Sequence, residues 1–213
     1  SDGLSVGVLH RDLAAAYAAF VRGAAPEFPA LPIQYADYAV WQRQWLQGEL
    51  RRVQLDYWKR QLAGLPVLQL PLDHPRPAIQ STRGAYHPVT VPSGLTSALK
   101  ALSQAEGVTL FMTLLAGFLT VLHRHTGQDD LALGMPIAGR NRSETEDLIG
   151  FFVNSLVLRT CVGGDPTFRE LLARVREVAV EAYAHQDLPF EMLVVELQPE
   201  RDVSRNPLFQ VMF

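Results

Sequence analysis

The sequence has one cysteine, little excess charge of either sign and no long uninterrupted apolar run. The single cysteine, Cys161, excludes an internal disulfide and is typical of a reducing compartment, so we expect a cytoplasmic protein in which this side chain is buried. A net charge of −3 provides no basic surface for nucleic acid. The longest apolar run, Leu110–Leu122, is interrupted by threonines and a glycine and is too short for a membrane span. Neither nucleic acid nor a membrane is therefore an expected partner.

The beginning of the sequence lacks the features of a targeting segment. Asp2, Arg11 and Asp12 interrupt the apolar stretch that a secretory signal needs. There is no initiator methionine, and the first residues already have the pattern of a helix entrance. We therefore expect the chain to be a piece of a longer protein.

What the sequence does contain is an alternation of helical and strand patterns. With 48% hydrophobic and 19% charged residues, it is typical of a globular protein with a real core. Apolar spacing predicts helices at 4–20, 34–47, 49–63, 95–105, 109–126, 168–184 and 191–197, and strands at 85–91, 130–136, 156–162 and 208–213. Residues 65–84 hold four prolines and predict an extended connection. Strands separated by long helices indicate an α/β layered domain over residues 85–213.

The segment His185–Glu191 concentrates polar side chains between two predicted helices. Asp187 can cap a helix that starts at Pro189, and Glu191 suits the dipole at that helix start. Gln186 lies between the end of the preceding helix and this cap. We favour a helix–helix joint over direct catalysis for this segment.

A second polar segment, Arg201–Leu208, follows the last predicted helix. Asp202 and Arg205 can form an ion pair, and Asn206 before a proline turns the chain into the final strand. We expect architecture here and no chemical step.

Six segments, in order along the chain, resemble signature motifs of one family, the condensation domains of nonribosomal peptide synthetases. Ser1-Asp2-Gly3 is similar to the end of the active-site motif His-His-x-x-x-Asp-Gly. Tyr35–Trp41, with the sequence Tyr-Ala-Asp-Tyr-Ala-Val-Trp, resembles Tyr-x-Asp-Tyr-Ala-Val-Trp. The other four are Leu72–Pro77, Ile149–Ser155, His185–Glu191 and Arg201–Leu208. The chain looks most like the condensation domains that join two L-residues.

The resemblance implies a fold and a domain organisation. Condensation domains consist of two lobes similar to chloramphenicol acetyltransferase, packed as a V-shaped pseudo-dimer with a tunnel between them. It implies that residues 1–64 are the helical end of the N-terminal lobe and that 65–84 is the crossover linker. Residues 85–213 would then be the C-terminal lobe, a two-layer α/β structure with helices on a mixed sheet, truncated at its end.

The resemblance also assigns roles to individual residues. Asp2 and Gly3 are the remnant of the catalytic motif, whose histidines would precede Ser1. The Asp2 carboxylate is expected to pair with Arg140, preferred over Arg142, or to cap the first helix, and one carboxylate can do both. Further positions are motif or architectural residues, namely Tyr35, Asp37, Trp41, His185, Gln186, Asp187, Glu191, Arg201 and Asn206.

The segment Ile149–Ser155 has two interpretations. Phe152, Asn154 and Ser155 suit a tunnel for a phosphopantetheine arm, because such a tunnel needs apolar walls and a few orienting polar groups. A buried strand with a hydrogen-bonded core asparagine is the alternative, and we weigh the two equally. Tyr35 and Trp41 belong to an aromatic stripe that is more typical of core packing than of a binding surface.

The implied reaction is amide-bond formation between a carrier-bound acyl thioester and a carrier-bound amine. Expected partners are the donor and acceptor peptidyl carrier proteins and an adjacent adenylation domain. No metal and no directly bound cofactor is implied, because substrates arrive on 4'-phosphopantetheine arms. We expect the chain alone to be inactive. The alternatives are an epimerization, cyclization or ester-forming relative, or a catalytically dead module that recruits a partner.

Overall fold

The computed structural model describes residues 1–81, 83–198 and 202–213. Three helices come first, α1 (Gly3–Val21), α2 (Tyr35–Trp45) and α3 (Gly48–Gln61). After a long connection follow α4 (Ser93–Ala105), α5 (Leu110–Thr126), β1 (Asp130–Ile137), a 3-10 turn (Ser143–Thr145), β2 (Asn154–Cys161), α6 (Phe168–Ala184) and α7 (Phe190–Leu197). All seven predicted helices and two of the four predicted strands are confirmed, with ends shifted by a few residues.

The sheet consists of β1 and β2, which pair antiparallel with Asp130 opposite Cys161 and Ile137 opposite Asn154. On the other edge of β1, Gly134 forms a parallel bridge with Met212. The pairing is therefore mixed, as expected for the fold class. The strand predicted over residues 208–213 is reduced to this single bridge, because the segment meets β1 only briefly at its end.

Position 134 has no room for a side chain, because the ring of Phe209 lies directly against it. A Cβ at this position would lie 2.4 Å from a ring carbon of Phe209. The ring of Phe209 is 5% exposed and packs over β1. This close approach positions the C-terminal segment on the sheet.

The core lies between the sheet and the helices that cover it. α6 packs against β2 and α5, and α4 packs against α5. The starts of α5 and α6 are capped by side chains, since Thr109 accepts a hydrogen bond from Met112 N and Thr167 forms a capping box with Glu170. Fully buried apolar side chains from four elements meet in this core, namely Ala116, Leu119, Leu131, Leu133, Val157 and Ala179.

The long connection between α3 and α4 is anchored to the C-terminal segment. Leu68 N donates to the Gln210 side chain at 3.1 Å, and Leu68 is buried in the core. Gln80 N donates to Val203 O at 3.2 Å. The extended connection predicted over 65–84 thus runs along the protein with defined contacts.

Two predictions from the sequence, a strand over residues 85–91 and the burial of Cys161, are wrong. The strand predicted over 85–91 has no regular secondary structure, and Tyr86 and Val89 are exposed. An alternating apolar pattern does not suffice here, because no described strand lies beside it to complete a ladder. Cys161 is exposed rather than buried, because it is the last residue of β2 and points away from the core.

Helix α1 meets the length and apolarity required of a membrane span, so the prediction that no apolar run is long enough for one is wrong by this criterion. Among the described residues the bent pair α4–α5 passes the same criterion when taken as one span, with an angle of 105°. Such matches are weak evidence, because core helices of water-soluble proteins also pass. The centre of α1 carries Arg11 and Asp12, hydrogen-bonded to each other at 3.0 Å.

Candidate active-site segment and adjoining cavity

Asp2 is the point at which the beginning of the chain is tied to the loop before β2. Its Oδ1 accepts a hydrogen bond from Ser5 N at 2.9 Å and caps α1. Its Oδ2 accepts from Phe152 N at 3.0 Å, and its own backbone N donates to Gly150 O at 3.1 Å. The loop therefore encloses the Asp2 backbone and carboxylate from both sides.

Arg140, which follows β1, completes the environment of this carboxylate. Its Nη2 lies 3.2 Å from Asp2 Oδ1 and 2.9 Å from Ser5 Oγ. Its Nη1 donates to Leu148 O at 2.9 Å and to Thr145 O. The two charged side chains are 4% and 1% exposed, so the pair is buried. Helix cap and ion pair, the two contacts considered for Asp2, are both present.

The pKa of Asp2 reflects a competition between burial and hydrogen bonding. Burial alone raises the pKa of this carboxyl group. The hydrogen bonds from Phe152 N, from Ser5 and from Arg140 outweigh burial, and the net pKa lies well below the ordinary value of 3.8. Asp2 is therefore ionised throughout the neutral range and acts as an acceptor.

Ser5 was not singled out from the sequence, although it is central to this cluster. It is fully buried, and its hydroxyl lies 2.7 Å from Asp2 Oδ1 and 2.8 Å from Gly150 O. The same hydroxyl accepts from Gly150 N at 3.0 Å. A serine three residues after a helix-capping aspartate is the available signal, but that spacing is common at ordinary helix starts.

Gly150 is required by the close approach of α2. A Cβ on Gly150 would lie 2.2 Å from Tyr35 Cδ2. The Tyr35 hydroxyl donates to Phe151 O at 2.9 Å, and its ring packs edge-on against Phe152 at 5.2 Å. Tyr35 thereby holds α2 against the loop that encloses Asp2. Gly3, the first residue of α1, is exposed.

Asn154 joins the start of β2 to the connection between α6 and α7. Its Nδ2 donates to Gln186 O at 3.0 Å and to Leu188 O at 2.9 Å. Its Oδ1 accepts from Ser155 N and from Phe190 N, both at 2.9 Å. The side-chain amide is thus fully hydrogen-bonded, as the alternative interpretation of this residue required.

The cap predicted at Asp187 is wrong. The first residue of α7 is Phe190, and Pro189 precedes it without a side-chain cap. The orphan N–H of Phe190 is instead satisfied by Asn154 from a different element. No hydrogen bond to the Asp187 carboxylate is found within the described ranges. This carboxylate is half-buried, and burial raises its pKa, although Arg142 partly opposes the shift.

His185 and Gln186 have structural contacts at the end of α6. The His185 ring stacks on Tyr57 with 3.8 Å between ring centroids, and its Nδ1 lies 2.8 Å from Glu181 O. The carbonyl of His185 accepts from the indole of Trp58 at 2.9 Å. Gln186 Nε2 donates to Tyr183 O. The contacts of His185 with Tyr57 and Trp58 dock α3 onto the end of α6.

The remaining predicted positions lie away from Asp2 or on its periphery. Asp37 is an exposed residue of α2 that accepts from Gln34 N at 2.8 Å. Asp202 and Arg205 form an ion pair of 3.3 Å, and Asn206 O accepts from Gln210. Arg201 lies outside the described residues.

A cavity of about 660 Å³ adjoins the Asp2 cluster. Arg142 stacks over Trp41, with its Cζ 4.2 Å from the ring centroid. Phe152, Asn154 and Glu191 line this cavity, whereas Ser155 is not part of the lining. The aromatic wall consists of Tyr35, Tyr38, Trp41, Trp45, Phe151 and Phe152. The aromatic stripe of α2 is therefore half-buried and faces a cavity instead of a filled core.

Within the described residues, no three histidine, cysteine, aspartate or glutamate side chains come together in a group able to hold a metal ion.

The chain is similar to known proteins along its whole length. A family model described as Condensation domain matches residues 1–213. One of the subunits of the linear gramicidin synthase of Brevibacillus parabrevis is 60% identical over 213 residues, which are 100% of this chain and 4% of that relative. Malpinin synthetase of Mortierella alpina is 51% identical over 214 residues, covering 100% of this chain and 3% of that synthetase. The chain therefore corresponds to a small part of these relatives.

Solved structures agree with this comparison. The X-domain from teicoplanin biosynthesis superposes with a TM-score of 0.93 and 35% identity, covering 100% of this chain and 48% of that one. The same domain, solved as a complex with OxyB, superposes with a TM-score of 0.91 and 34% identity, covering 99% of this chain and 48% of that one. Holo-AB3403, a four-domain nonribosomal peptide synthetase bound to AMP and glycine, superposes with a TM-score of 0.86 and 31% identity. The match covers 98% of this chain and 16% of that one.

Proposed function

The chain belongs to the condensation-domain family, and we propose that it is part of a domain that forms amide bonds in nonribosomal peptide synthesis. The donor is an acyl or peptidyl thioester on one carrier protein, and the acceptor is an amine on a second carrier protein. The products of such synthetases are secondary metabolites, among them antibiotics.

The observation that carries the proposal is the buried environment of Asp2. Ser1–Gly3 resembles the end of the family's catalytic motif, and this end is fixed by Arg140 and by the backbone N–H of Phe152. A segment that is held through both the carboxylate and the backbone of Asp2 has little freedom to move. Such fixation suits a segment that must hold a reactive histidine in place.

The reaction requires a neutral amine, an electrophilic thioester carbonyl and a donor for the developing oxyanion. The acceptor nitrogen attacks the carbonyl carbon, the C–S bond breaks, the thiol leaves on the donor arm, and the amine loses a proton. The sequence of this chain contains no adjacent pair of histidines. We therefore assign to it the positioning of the motif and one wall of the substrate path, and we expect the 213-residue polypeptide alone to be inactive.

We propose that the aromatic cavity beside Phe152 forms part of the path of the phosphopantetheine arms. Six aromatic side chains form one wall, and polar side chains, among them Arg142, Asn154 and Asp187, complete the lining, so both apolar contact and orienting polar groups are available to a flexible arm. No cofactor bound directly to the chain is proposed. The partners are two peptidyl carrier proteins and an adenylation domain of the same synthetase, in the cytoplasm.

We further propose the domain organisation implied by the family. Residues 1–64 would end the N-terminal lobe, 65–84 would cross over, and 85–213 would form most of the C-terminal lobe. The contacts of Asp2 with Arg140 and Phe152 would then join the two lobes. The close fit of Tyr35 against Gly150 would add an apolar contact at the same junction.

The test uses the synthetase that contains this chain, with both carrier proteins loaded with their amino acids. Wild type should yield a dipeptidyl thioester, detected by mass spectrometry of the intact acceptor carrier. Asp2→Asn should lower the rate of its formation while loading of both carriers is unchanged. Asp12→Asn, in the same helix but paired with Arg11 at the surface, is the matched control and should react like wild type. Absence of any dipeptidyl product from the wild-type synthetase would refute the proposal.

A second candidate is a module that recruits a partner enzyme without catalysis. It is favoured by the similarity to the X-domain from teicoplanin biosynthesis, which has also been solved in complex with OxyB. The same assay separates the two candidates, because a recruiting module gives no dipeptidyl thioester with any loaded carrier pair. Epimerization, cyclization and ester formation would be recognised by the mass and stereochemistry of the product.

A further inference from the structure

The carboxylate of Asp187 has no structural role that explains its position. The helix start beside it is capped by Asn154, whose Oδ1 accepts from Phe190 N at 2.9 Å. No salt bridge to Asp187 is found in the part of the chain that the structure describes. A half-buried carboxylate without a hydrogen-bond partner is unfavourable unless a ligand or water supplies one.

This carboxylate faces the aromatic cavity described above. Tyr38 is close enough that the charge of Asp187 contributes to raising the pKa of the phenol, after the effect of burial and of Tyr35. Trp41 and Trp45 stack on each other at 5.0 Å between ring centroids and form the adjoining wall. An anionic group beside several aromatic faces has the composition of a site for an organic cation.

The cavity already accommodates one cation. The guanidinium of Arg142 lies 4.2 Å from the centroid of the Trp41 ring, which shows that this wall attracts positive charge. Arg142 nevertheless forms no salt bridge with Asp187 in the described ranges. The charged side chains that line the cavity are Arg142, Asp187 and Glu191, so the lining has a net charge of −1 when all three are ionised. One additional monovalent cation would balance it.

We propose that the cavity is a binding site for a primary ammonium group on a short apolar stem, with Asp187 as its counter-ion and the ring of Tyr38 as the adjoining wall. A volume of about 660 Å³ accommodates such a group together with several neighbouring atoms. Only the identity of the natural molecule that carries this ammonium group rests on the proposed function. It is the amino end of a carrier-bound aminoacyl acceptor, or a side-chain ammonium of a substrate.

The position of the site agrees with this assignment. Phe152 forms part of the cavity wall through its ring and donates its backbone N–H to Asp2 Oδ2 at 3.0 Å. An ammonium group held at Asp187 would therefore lie in the same cavity as Phe152, whose backbone N–H contacts the motif segment. It could then lose its proton on moving to the reaction centre.

The three tryptophans of the chain allow a direct test by ¹⁹F NMR of 5-fluorotryptophan-labelled protein. Trp41 and Trp45 line the cavity, whereas Trp58 is 1% exposed and bound to His185 O, so its resonance is an internal reference. Alanine methylamide probes an α-ammonium and N-acetyl-lysine methylamide a side-chain ammonium. N-acetylalanine methylamide is the neutral control, and acetate probes an anion site at Arg142.

At neutral pH at least one ammonium probe should shift the Trp41 and Trp45 signals saturably and leave the Trp58 signal unchanged. Which of the two binds more tightly identifies the source of the group. Asp187→Asn should weaken binding by about tenfold or more, since a charge partner is lost, while Glu177→Gln, an exposed acid on α6, should not change it. If Asp187→Asn does not fold, the comparison of charged and neutral probes on the wild-type chain decides alone.

Equal binding of the neutral probe, binding of acetate alone, undiminished binding by Asp187→Asn, or no saturable shift would each overturn the proposal. The measurement involves neither carrier proteins nor turnover. A synthetase that condenses normally while the chain binds no ammonium would therefore sink this inference and leave the proposed function intact.

Discussion

Asp2 and Arg140 are 138 residues apart in the sequence, yet their side chains lie 3.2 Å apart in a site with almost no solvent access. Arg140 also donates to Ser5 Oγ and to backbone carbonyls of the loop that follows it, so it bridges two distant segments. The geometry of the candidate active-site segment is thus determined by a contact that neither segment can make alone.

Removal of either Asp2 or Arg140 alone should strongly lower the free energy of unfolding. Asp2→Ala leaves Arg140 buried without its counter-ion, and we expect a loss of about 3–5 kcal/mol in the free energy of unfolding. Arg140→Met in the Asp2→Ala background should recover part of the loss, because no uncompensated buried charge remains. Urea unfolding of the two single variants and the double variant measures both effects. Strictly additive losses would contradict the pairing, and Asp12→Ala, at the surface of α1, should cost at most about 0.5 kcal/mol.

The lowered pKa of Asp2 predicts the direction of a pH effect. A carboxyl group whose folded pKa lies below its unfolded value stabilises the protein above the unfolded pKa and loses this contribution as the pH falls towards the folded value. The stability difference between wild type and Asp2→Asn should therefore be constant near neutral pH and shrink below about pH 4. Urea midpoints of the two proteins from about pH 7 down to about pH 3 test this. A difference that grows on acidification would exclude the assigned role.

The fit between α2 and the loop before β2 can be tested at Gly150. Gly150→Ala places a methyl group 2.2 Å from Tyr35 Cδ2 and should destabilise by about 1–3 kcal/mol. Gly117→Ala is the matched control in the interior of α5, where nothing lies within 4 Å, and it should stabilise by about 0.5–1 kcal/mol. Thermal melting compares them. Similar melting temperatures for both variants would show that the close approach is not maintained in solution.

Asn154 should matter far more for stability than a neighbouring asparagine. Asn154→Ala leaves Gln186 O, Leu188 O and Phe190 N without their partner, and we expect a loss of about 2–3 kcal/mol. Asn141→Ala, an exposed residue of the cavity rim, should change stability by less than about 0.5 kcal/mol. Hydrogen exchange at Phe190 N should also become faster in Asn154→Ala. Unchanged protection there would show that Asn154 does not cap α7.

The sequence predicted the helices well, because their periodicity and caps are local signals. The cap at the start of α7 could not be assigned from the sequence, since Asp187 has the right type and position but Asn154 arrives from a distant strand. Ser5 was missed for the same reason, since its partners Gly150 and Arg140 are far along the chain. Strand formation at 85–91 was overpredicted because a strand needs a neighbour as well as a pattern.

The enclosure of Asp2 by residues 140–152 has a practical consequence for chimeric synthetases. A recombination junction placed in the connection 65–84 would combine Asp2, Ser5 and Tyr35 from one parent with Arg140 and Gly150 from the other. Such hybrids should fold only where both parents have side chains of matching size and charge at these positions. The compatibility of two parental sequences could therefore be screened at these five positions before any hybrid is made.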